Sequence, residues 1–237
     1  MSVDSNEETI FTFWNSYQEQ FKADNKNIHP DDEKILESFN FEAKPLFNFE
    51  YPPGPYFGPL EKSKLIFLYG NPGVDTDSKE ALKNQNHLKL LYDQLSGSES
   101  YPSIPGWVKW YSNKFNNLLT SGLKESQKSE VLEKSKQFIA VFNIIPYASE
   151  NMDQLNKIEN CLKSSWLAQK YLRETLIPEA KSGKRMIVVC RSSHLWGLRS
   201  NHGIENIIMN KSRNGIDSEN IAKIRKWYQD EISVITH

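Results

Sequence analysis

Four apolar runs recur along the chain, and longer stretches with helical periodicity separate them. The runs cover Leu65–Tyr69, 138–145, Met186–Cys190 and 204–209. Hydrophobicity is continuous within each run, which is typical of strands buried on both faces of a parallel sheet. The intervening amphipathic stretches predict helices at 79–95, 108–119, 127–136, 164–180 and 218–231. This alternation predicts a three-layer α/β/α sandwich around a four-stranded parallel sheet.

The first fifty residues add an apolar stripe to this pattern. Ile10, Trp14, Tyr17 and Phe21 recur at helical spacing and predict an amphipathic helix packed on the body. A chain of 237 residues that is 38% hydrophobic suffices for one substantial core. We therefore predict a single domain over residues 1–237, in which residues 1–50 form an N-terminal helical extension.

The formal net charge of −1 conceals an uneven distribution of charge. Residues 1–60 hold four Lys and Arg against eleven Asp and Glu, whereas residues 173–237 hold eleven against seven. The near-zero total argues against broad, nonspecific affinity for nucleic acid. Any basic surface for phosphate must therefore be local and lie in the last third of the chain.

Several classes of protein are disfavoured by the composition. The two cysteines and five scattered histidines do not have the spacing of a zinc or iron–sulfur site, so we expect neither metal nor cofactor. No apolar run reaches the roughly 20 residues of a membrane helix. The first ten residues lack the charge and hydropathy pattern of a secretory signal, and we expect a cytoplasmic protein.

Polar residues gather where the predicted strands end, which is where open parallel sheets bind ligands. The first run leads into Gly-Asn-Pro-Gly at residues 70–73, and the second contains Asn143. The third run is followed by Arg191 and the fourth by residues 210–214. A proline-rich segment at 51–64 precedes the first run and contributes further aromatic residues. We expect the functional site at this edge of the sheet.

Three of these segments resemble motifs of the uracil-DNA glycosylase superfamily, particularly its mismatch-specific or thymine-DNA glycosylase-like branch. GNPG, at 70–73, resembles the first motif, whose asparagine positions the attacking water. FNIIPY, at 142–147, is similar to the second-strand motif, whose asparagine reads the flipped base. NKSRN, at 210–214, resembles the closing loop that enters the minor groove, with Lys211 in place of a proline. The order and spacing of the motifs fit over residues 51–227.

The resemblance implies a role for each matching position. Asn71 would orient the water, which an amide can do although it cannot take up a proton near neutral pH. Asp75 is a candidate auxiliary base, but capping of the following helix is the favoured interpretation of this residue. The implied base-binding residues are Gly70, Gly73 and Asn143. The chain has no aromatic residue where the family places its stacking phenylalanine, about a dozen residues after the first motif, and Tyr56 or Phe57 is the candidate substitute. The implied DNA-binding residues are Arg191, Asn210, Lys211, Ser212 and Arg213.

Some positions depart from the family pattern. The strictly uracil-specific branch has a tyrosine where this chain has Gly73, so the resemblance implies room beside the 5-position of a pyrimidine, although a glycine also suits a tight turn. Asn210 replaces the histidine that stabilises the departing base, which implies low activity on plain uracil. Trp107, Trp110 and Tyr111 lie in a segment similar to the family's proline-serine loop and suit either base stacking or core packing.

The predicted function is that of a monofunctional DNA glycosylase. It would act as a monomer on double-stranded DNA, flip out a pyrimidine and leave an abasic site. Two substrate classes stay open: uracil or mismatched thymine in repair, and a 5-substituted cytosine of phage DNA in antiviral defence, as related bacterial glycosylases recognise. Two other functions also stay open: a catalytically inactive nucleic-acid- or nucleotide-binding module, and a small-molecule enzyme that shares only the architecture.

Overall fold

A five-stranded sheet forms the centre of the computed structural model, which describes residues 7–20, 27–38, 47–150, 155–212 and 215–235. The strands are β1 (Tyr56–Phe57), β2 (Leu65–Tyr69), β3 (Ile139–Asn143), β4 (Met186–Cys190) and β5 (Ile207–Asn210). Their spatial order is β1-β3-β2-β4-β5. The four longer strands are parallel, and β1 pairs antiparallel with β3. The predicted α/β class and its four parallel strands are confirmed, and a two-residue edge strand is added to them.

Nine α-helices that lie wholly within the described residues surround the sheet. They are α1 (Ile10–Asn15), α2 (Pro30–Ser38), α3 (Thr76–Ala81), α4 (Gln85–Asp93), α5 (Trp107–Thr120), α6 (Glu125–Ser135), α7 (Lys163–Tyr171), α8 (Ile177–Lys181) and α9 (Ser218–Ile235). A π-helical turn, Leu172–Leu176, joins α7 to α8, and 3₁₀ turns cover Gln94–Ser96 and Leu155–Lys157. None of the described helices is both long and apolar enough to cross a membrane.

The helix predicted over 79–95 is divided in the structure. The Asn84 side chain accepts a hydrogen bond from the backbone N–H of Asn86 at 2.9 Å and caps a new helix, α4. Asparagine competes with helix continuation in this way because its short side chain reaches the first free amides of the next turn. The prediction recognised the helical period but missed this cap.

The strands separate two apolar cores, which explains the three layers. Ile66 and Leu68 face a core that includes Ile10 and Trp14 of α1, together with residues of α7 and α8. Leu65 and Phe67 face the opposite core, which includes residues of α5 and α9. Trp14 is completely buried, so α1 packs into the body. The predicted stripe does not lie on one helix, however, because α1 ends at Asn15 and Tyr17 lies in the turn that follows. Phe21 of the same stripe lies outside the described residues.

The proline-rich segment before β2 is buried throughout residues 51–60. The backbone N–H of Gly54 donates to the carbonyl of Pro146 at 2.8 Å, and that of Asn143 donates to the carbonyl of Pro55 at 2.7 Å. The segment therefore closes over the carboxyl end of β3 and fixes the wall of the site described next.

Candidate active site at the carboxyl end of the sheet

A cavity of about 170 Å³ lies where β2 and β3 end. An engineered cavity of about 150 Å³ holds a benzene ring, so this volume suits a single six-membered ring. The cavity brings together five of the residues singled out from the sequence: Phe57, Asn71, Gly73, Asp75 and Asn143. Its other lining residues are Tyr69, Pro72, Val74, Ser78, Tyr101, Gly106, Trp107, Trp110 and Val141. Its position agrees with the strand-end rule for open parallel sheets.

The side chain of Asn71 is oriented by three acceptors. Its Nδ2 donates to the carbonyl of Pro72 at 2.9 Å, to the carbonyl of Tyr147 at 3.2 Å and to Oγ of Ser149 at 2.8 Å. Carbonyl oxygens only accept hydrogen bonds, so the nitrogen, and not Oδ1, must face them. Oδ1 makes no hydrogen bond to the described residues and stays available to accept one from a water molecule or a substrate.

Asn143, at the end of β3, is oriented in a similar way. Its side chain is 2% exposed, and its Nδ2 donates to the carbonyl of Gly54 at 2.8 Å. One N–H and the Oδ1 acceptor are left without a partner among the described residues. A buried amide that offers both a donor and an acceptor matches the edge of a pyrimidine, which carries both kinds of group.

Asp75 lines the cavity and caps a helix at the same time. One of its carboxylate oxygens accepts the backbone N–H of Ser78 at 2.9 Å, and Ser78 Oγ lies 3.2 Å from the backbone nitrogen of Asp75 as its acceptor. This reciprocal pair is a capping box at the start of α3. The capping interpretation of Asp75 is therefore confirmed, while its role as an auxiliary base stays a prediction.

Gly73 is not required by the backbone that it occupies. A Cβ placed on it would meet no atom within 4 Å, and its φ lies outside the left-handed region. Gly106, on the opposite wall, differs because its φ is +87° and a Cβ would lie 2.9 Å from the backbone nitrogen of Ser78. The turn therefore explains the glycine at 106 but not the glycine at 73, where a side chain would enter open space at the cavity.

Aromatic rings supply the remaining walls. Phe57 and Trp107 meet edge to face at 6.1 Å, and Tyr69 and Trp110 do so at 5.4 Å. Burial raises the pKa of both Tyr69 and Tyr101 well above its usual value. Both phenols are therefore neutral near neutral pH, and these walls offer stacking surface without charge.

Two of the predicted base-binding residues do not line the cavity. Tyr56 is completely buried in the core on the other face of the sheet, and its hydroxyl donates to the carbonyl of Leu95 at 2.6 Å. Adjacent strand residues point to opposite faces, so Phe57 is the aromatic that β1 presents to the cavity. Gly70 is also buried outside the cavity, and its carbonyl accepts the backbone N–H of Ile145 at 2.9 Å.

The strand ends of β4 and β5 form a different surface. Asn210 is 3% exposed, donates to the carbonyl of Gly215 at 2.8 Å and accepts the backbone N–H of Asp217 at 2.8 Å. It therefore anchors its own loop, in place of the predicted contact with DNA. Arg191 is exposed at an unusual φ of 44°, and Lys211 is exposed, whereas Ser212 is half-buried. Arg213 lies outside the described residues.

The sequence analysis gave no role to six wall residues, namely Tyr69, Val74, Ser78, Tyr101, Gly106 and Val141. Tyr69 is the last residue of an apolar run, which predicts a core residue. Its place at the carboxyl end of β2 could have identified it as a site residue, because open parallel sheets bind ligands there. Trp107 and Trp110, which fit either stacking or packing, line the cavity, whereas Tyr111 is buried and bonded through its hydroxyl to Ser135. The wall formed by α5 depends on how that helix packs against the sheet, and the sequence of the helix alone does not predict this packing.

Comparison of the chain with protein-family models, with curated proteins and with solved structures returned no match. Functional inference therefore depends on the geometry of the cavity and on the three motifs at the strand ends.

Proposed function

We propose that this protein is a monofunctional DNA glycosylase that removes a flipped pyrimidine and leaves an abasic site. The observation that carries the proposal is the pair of asparagines, Asn71 and Asn143, in the wall of one base-sized cavity. The protein anchors the nitrogen of each amide and leaves its oxygen free to accept a hydrogen bond. Such fixed polar groups need no reorganisation during a reaction, which is the main source of electrostatic catalysis.

Each residue has a defined part in the proposed reaction. Asn143 holds the edge of the flipped base through its oxygen and its remaining N–H. Asn71 Oδ1 accepts a hydrogen bond from a water molecule and directs it toward the sugar carbon as the bond to the base breaks. Asp75 is the only carboxylate among the described lining residues, and its second oxygen is the candidate acceptor for the proton of that water.

The shape of the cavity bears on the substrate. Open space at Gly73 accommodates a substituent on a pyrimidine. The cavity also shares Asp75, Gly106 and Trp110 with an adjoining open depression of about 320 Å³. We infer that the substrate is a 5-substituted pyrimidine, with mismatched thymine as the smallest candidate and a bulky modified cytosine as the larger one.

The proposed place of action is the cytoplasm. Both cysteines are free thiols, Cys161 exposed and Cys190 buried, as expected in a reducing compartment.

The test is excision from labelled duplexes that carry uracil, thymine opposite guanine, 5-hydroxymethylcytosine or glucosylated 5-hydroxymethylcytosine. Alkali then cleaves the strand at any abasic site. We expect cleavage with at least one 5-substituted base and a loss on the order of 100-fold in Asn71→Ala. Asn206→Ala is the control, because the side chain of Asn206, like that of Asn71, donates to a backbone carbonyl, here that of Ala180 at 3.2 Å, but it lies at the opposite edge of the sheet.

Two results would redirect the proposal. Binding of duplex DNA without cleavage of any substrate would favour the inactive binding module. Absence of both binding and cleavage would favour a small-molecule enzyme, since the architecture alone serves many chemistries.

A further inference from the structure

The segment that orients Asn71 is itself held by the N-terminal part of the chain. Tyr147 and Ser149 supply two of the three acceptors around Asn71 Nδ2. The hydroxyl of the same Tyr147 donates to Asp32 Oδ2 in α2 at 2.8 Å. One residue further on, the carbonyl of Ala148 accepts the backbone N–H of Asn48 at 2.8 Å. The N-terminal region therefore contacts both sides of the loop that holds the amide.

Asp32, which accepts the hydrogen bond of Tyr147, is unusual because it is a carboxylate in the interior of the protein. It is completely buried, and its Oδ1 accepts the backbone N–H of Ser164 at 3.1 Å, in the first turn of α7. Burial raises the pKa of Asp32, and the hydrogen bonds from Ser164 and Tyr147 oppose that rise. A buried acceptor of this kind is costly unless all its hydrogen bonds are made, so the positions of α2, α7 and the Tyr147 loop are tied together.

We propose that Asp32 and Tyr147 form a positioning pair that sets the orientation of Asn71, which makes the N-terminal extension part of the active site. The inference depends on the proposed function, since it assigns Asn71 the task of placing the water. The pair acts through the loop: Asp32 fixes the Tyr147 ring, and the carbonyl of Tyr147 fixes the amide.

The alternative is that the pair only stabilises the fold. The ring of Tyr147 packs against Phe47 at 5.8 Å and Phe49 at 5.6 Å, and these contacts persist when only its hydroxyl is removed. Tyr147→Phe therefore separates the two explanations, because it keeps the ring and the carbonyl but removes both links of the hydroxyl to the N-terminal region, to Asp32 and to the backbone N–H of His29 at 3.2 Å.

Tyr92→Phe is the matched control. The hydroxyl of Tyr92 is also buried and donates to Asn27 Oδ1 at 2.7 Å, so it likewise joins the body to the N-terminal region. Tyr92 does not line the cavity. A larger loss of thermal stability is expected in Tyr147→Phe than in Tyr92→Phe, because the former leaves a buried carboxylate oxygen without its donor, whereas the partner of Tyr92 is a neutral amide.

In single-turnover assays, we expect Tyr147→Phe to lower the excision rate about 10-fold to 100-fold, with DNA affinity changed by less than about twofold. Tyr92→Phe should keep the wild-type rate. Asp32→Ala removes the acceptor of the Tyr147 hydroxyl, and it should reproduce the loss if Tyr147→Phe does not fold. Equal rates in the Tyr147 and Tyr92 variants, or equal rates in Asp32→Ala and the wild type, would overturn the positioning role.

A second readout does not depend on catalysis. The side-chain NH₂ resonances of Asn71 in an amide NMR spectrum, assigned by their absence in Asn71→Ala, should shift in Tyr147→Phe and stay unchanged in Tyr92→Phe. Unshifted resonances in Tyr147→Phe would contradict the inference. If the wild type excises no base, the proposed function fails, while these resonances still decide whether the pair positions the amide.

Discussion

Asparagines lie at the carboxyl ends of three strands, and their side chains make two different kinds of hydrogen-bond arrangement. Asn71 and Asn143, after β2 and within β3, have anchored nitrogens and oxygens that no described residue occupies. Asn210, at the end of β5, uses its nitrogen on Gly215 and its oxygen on Asp217 and Asn220. The first two amides keep an oxygen that accepts no hydrogen bond from the described residues, whereas both ends of the third amide bond to its own loop and the helix after it.

This difference teaches that a residue type at a strand end does not identify a site. The strand-end rule places all three amides at one edge of the sheet. Only an accounting of donors and acceptors separates them, because a side chain with both ends satisfied has nothing left to offer a substrate. Backbone φ and the space around a Cβ make a similar distinction between Gly73, which the backbone does not require to be glycine, and Gly106, which it does.

The largest effect is expected when one asparagine of each kind is replaced by alanine and the two variants are compared. Asn143→Ala should lower excision on the order of 100-fold, because it removes a preorganised polar group from the cavity. Asn210→Ala should instead lower the free energy of unfolding by about 2 to 3 kcal/mol, because several hydrogen bonds of its loop are lost. Single-turnover rates and urea unfolding of both variants measure the two effects.

The expected rate of folded Asn210→Ala is that of the wild type. A loss of excision in Asn210→Ala that exceeds its unfolded fraction would show that Asn210 contributes to excision directly. An Asn143→Ala protein that excises normally would remove base recognition from that residue.

Sequence alone predicts the framework of this molecule well. The runs Leu65–Tyr69 and Met186–Cys190 match β2 and β4 to the residue because continuous apolar character marks strands covered on both faces. It also places Asn71, Gly73 and Asn143 at one edge, since parallel strands deliver their ends together.

What sequence does not predict is how distant segments meet. The choice between Tyr56 and Phe57 depends on which face of β1 is turned toward the cavity, and that depends on pairing with β3. The link from Asp32 to Tyr147 joins residues 115 positions apart and follows no local pattern. The commitment of Asn210 to its loop likewise becomes visible only when its partners at Gly215 and Asp217 are placed.

A smaller effect is expected at the open wall of the cavity. Gly73→Tyr should fold, because a Cβ at this position meets no atom within 4 Å and the backbone does not require glycine. It should reduce excision of a 5-substituted pyrimidine relative to the unsubstituted base by at least about 10-fold, since a steric clash with one substituent contributes about 1 to 3 kcal/mol. The ratio of the two single-turnover rates is the measurement.

Gly73→Ala is the graded control and should change this ratio less than the tyrosine does. An unchanged ratio in Gly73→Tyr would show that the 5-position of the base points elsewhere in the cavity.

The smallest effect is expected at the β5 loop, and it sharpens the contrast between binding and chemistry. Lys211 is exposed beside Asn210, and no salt bridge is recorded for it among the described residues. If Lys211 contacts one phosphate, Lys211→Ala should reduce the slope of log affinity against log salt by about one and leave the single-turnover rate unchanged. The control is Lys184→Ala, because Lys184 is an exposed lysine just before β4 at the opposite edge of the sheet.

Equal salt slopes in the Lys211 and Lys184 variants would show that the β5 loop faces away from DNA. The phosphate contacts would then have to come from other residues, and the exposed Arg191 after β4 is the next residue to substitute.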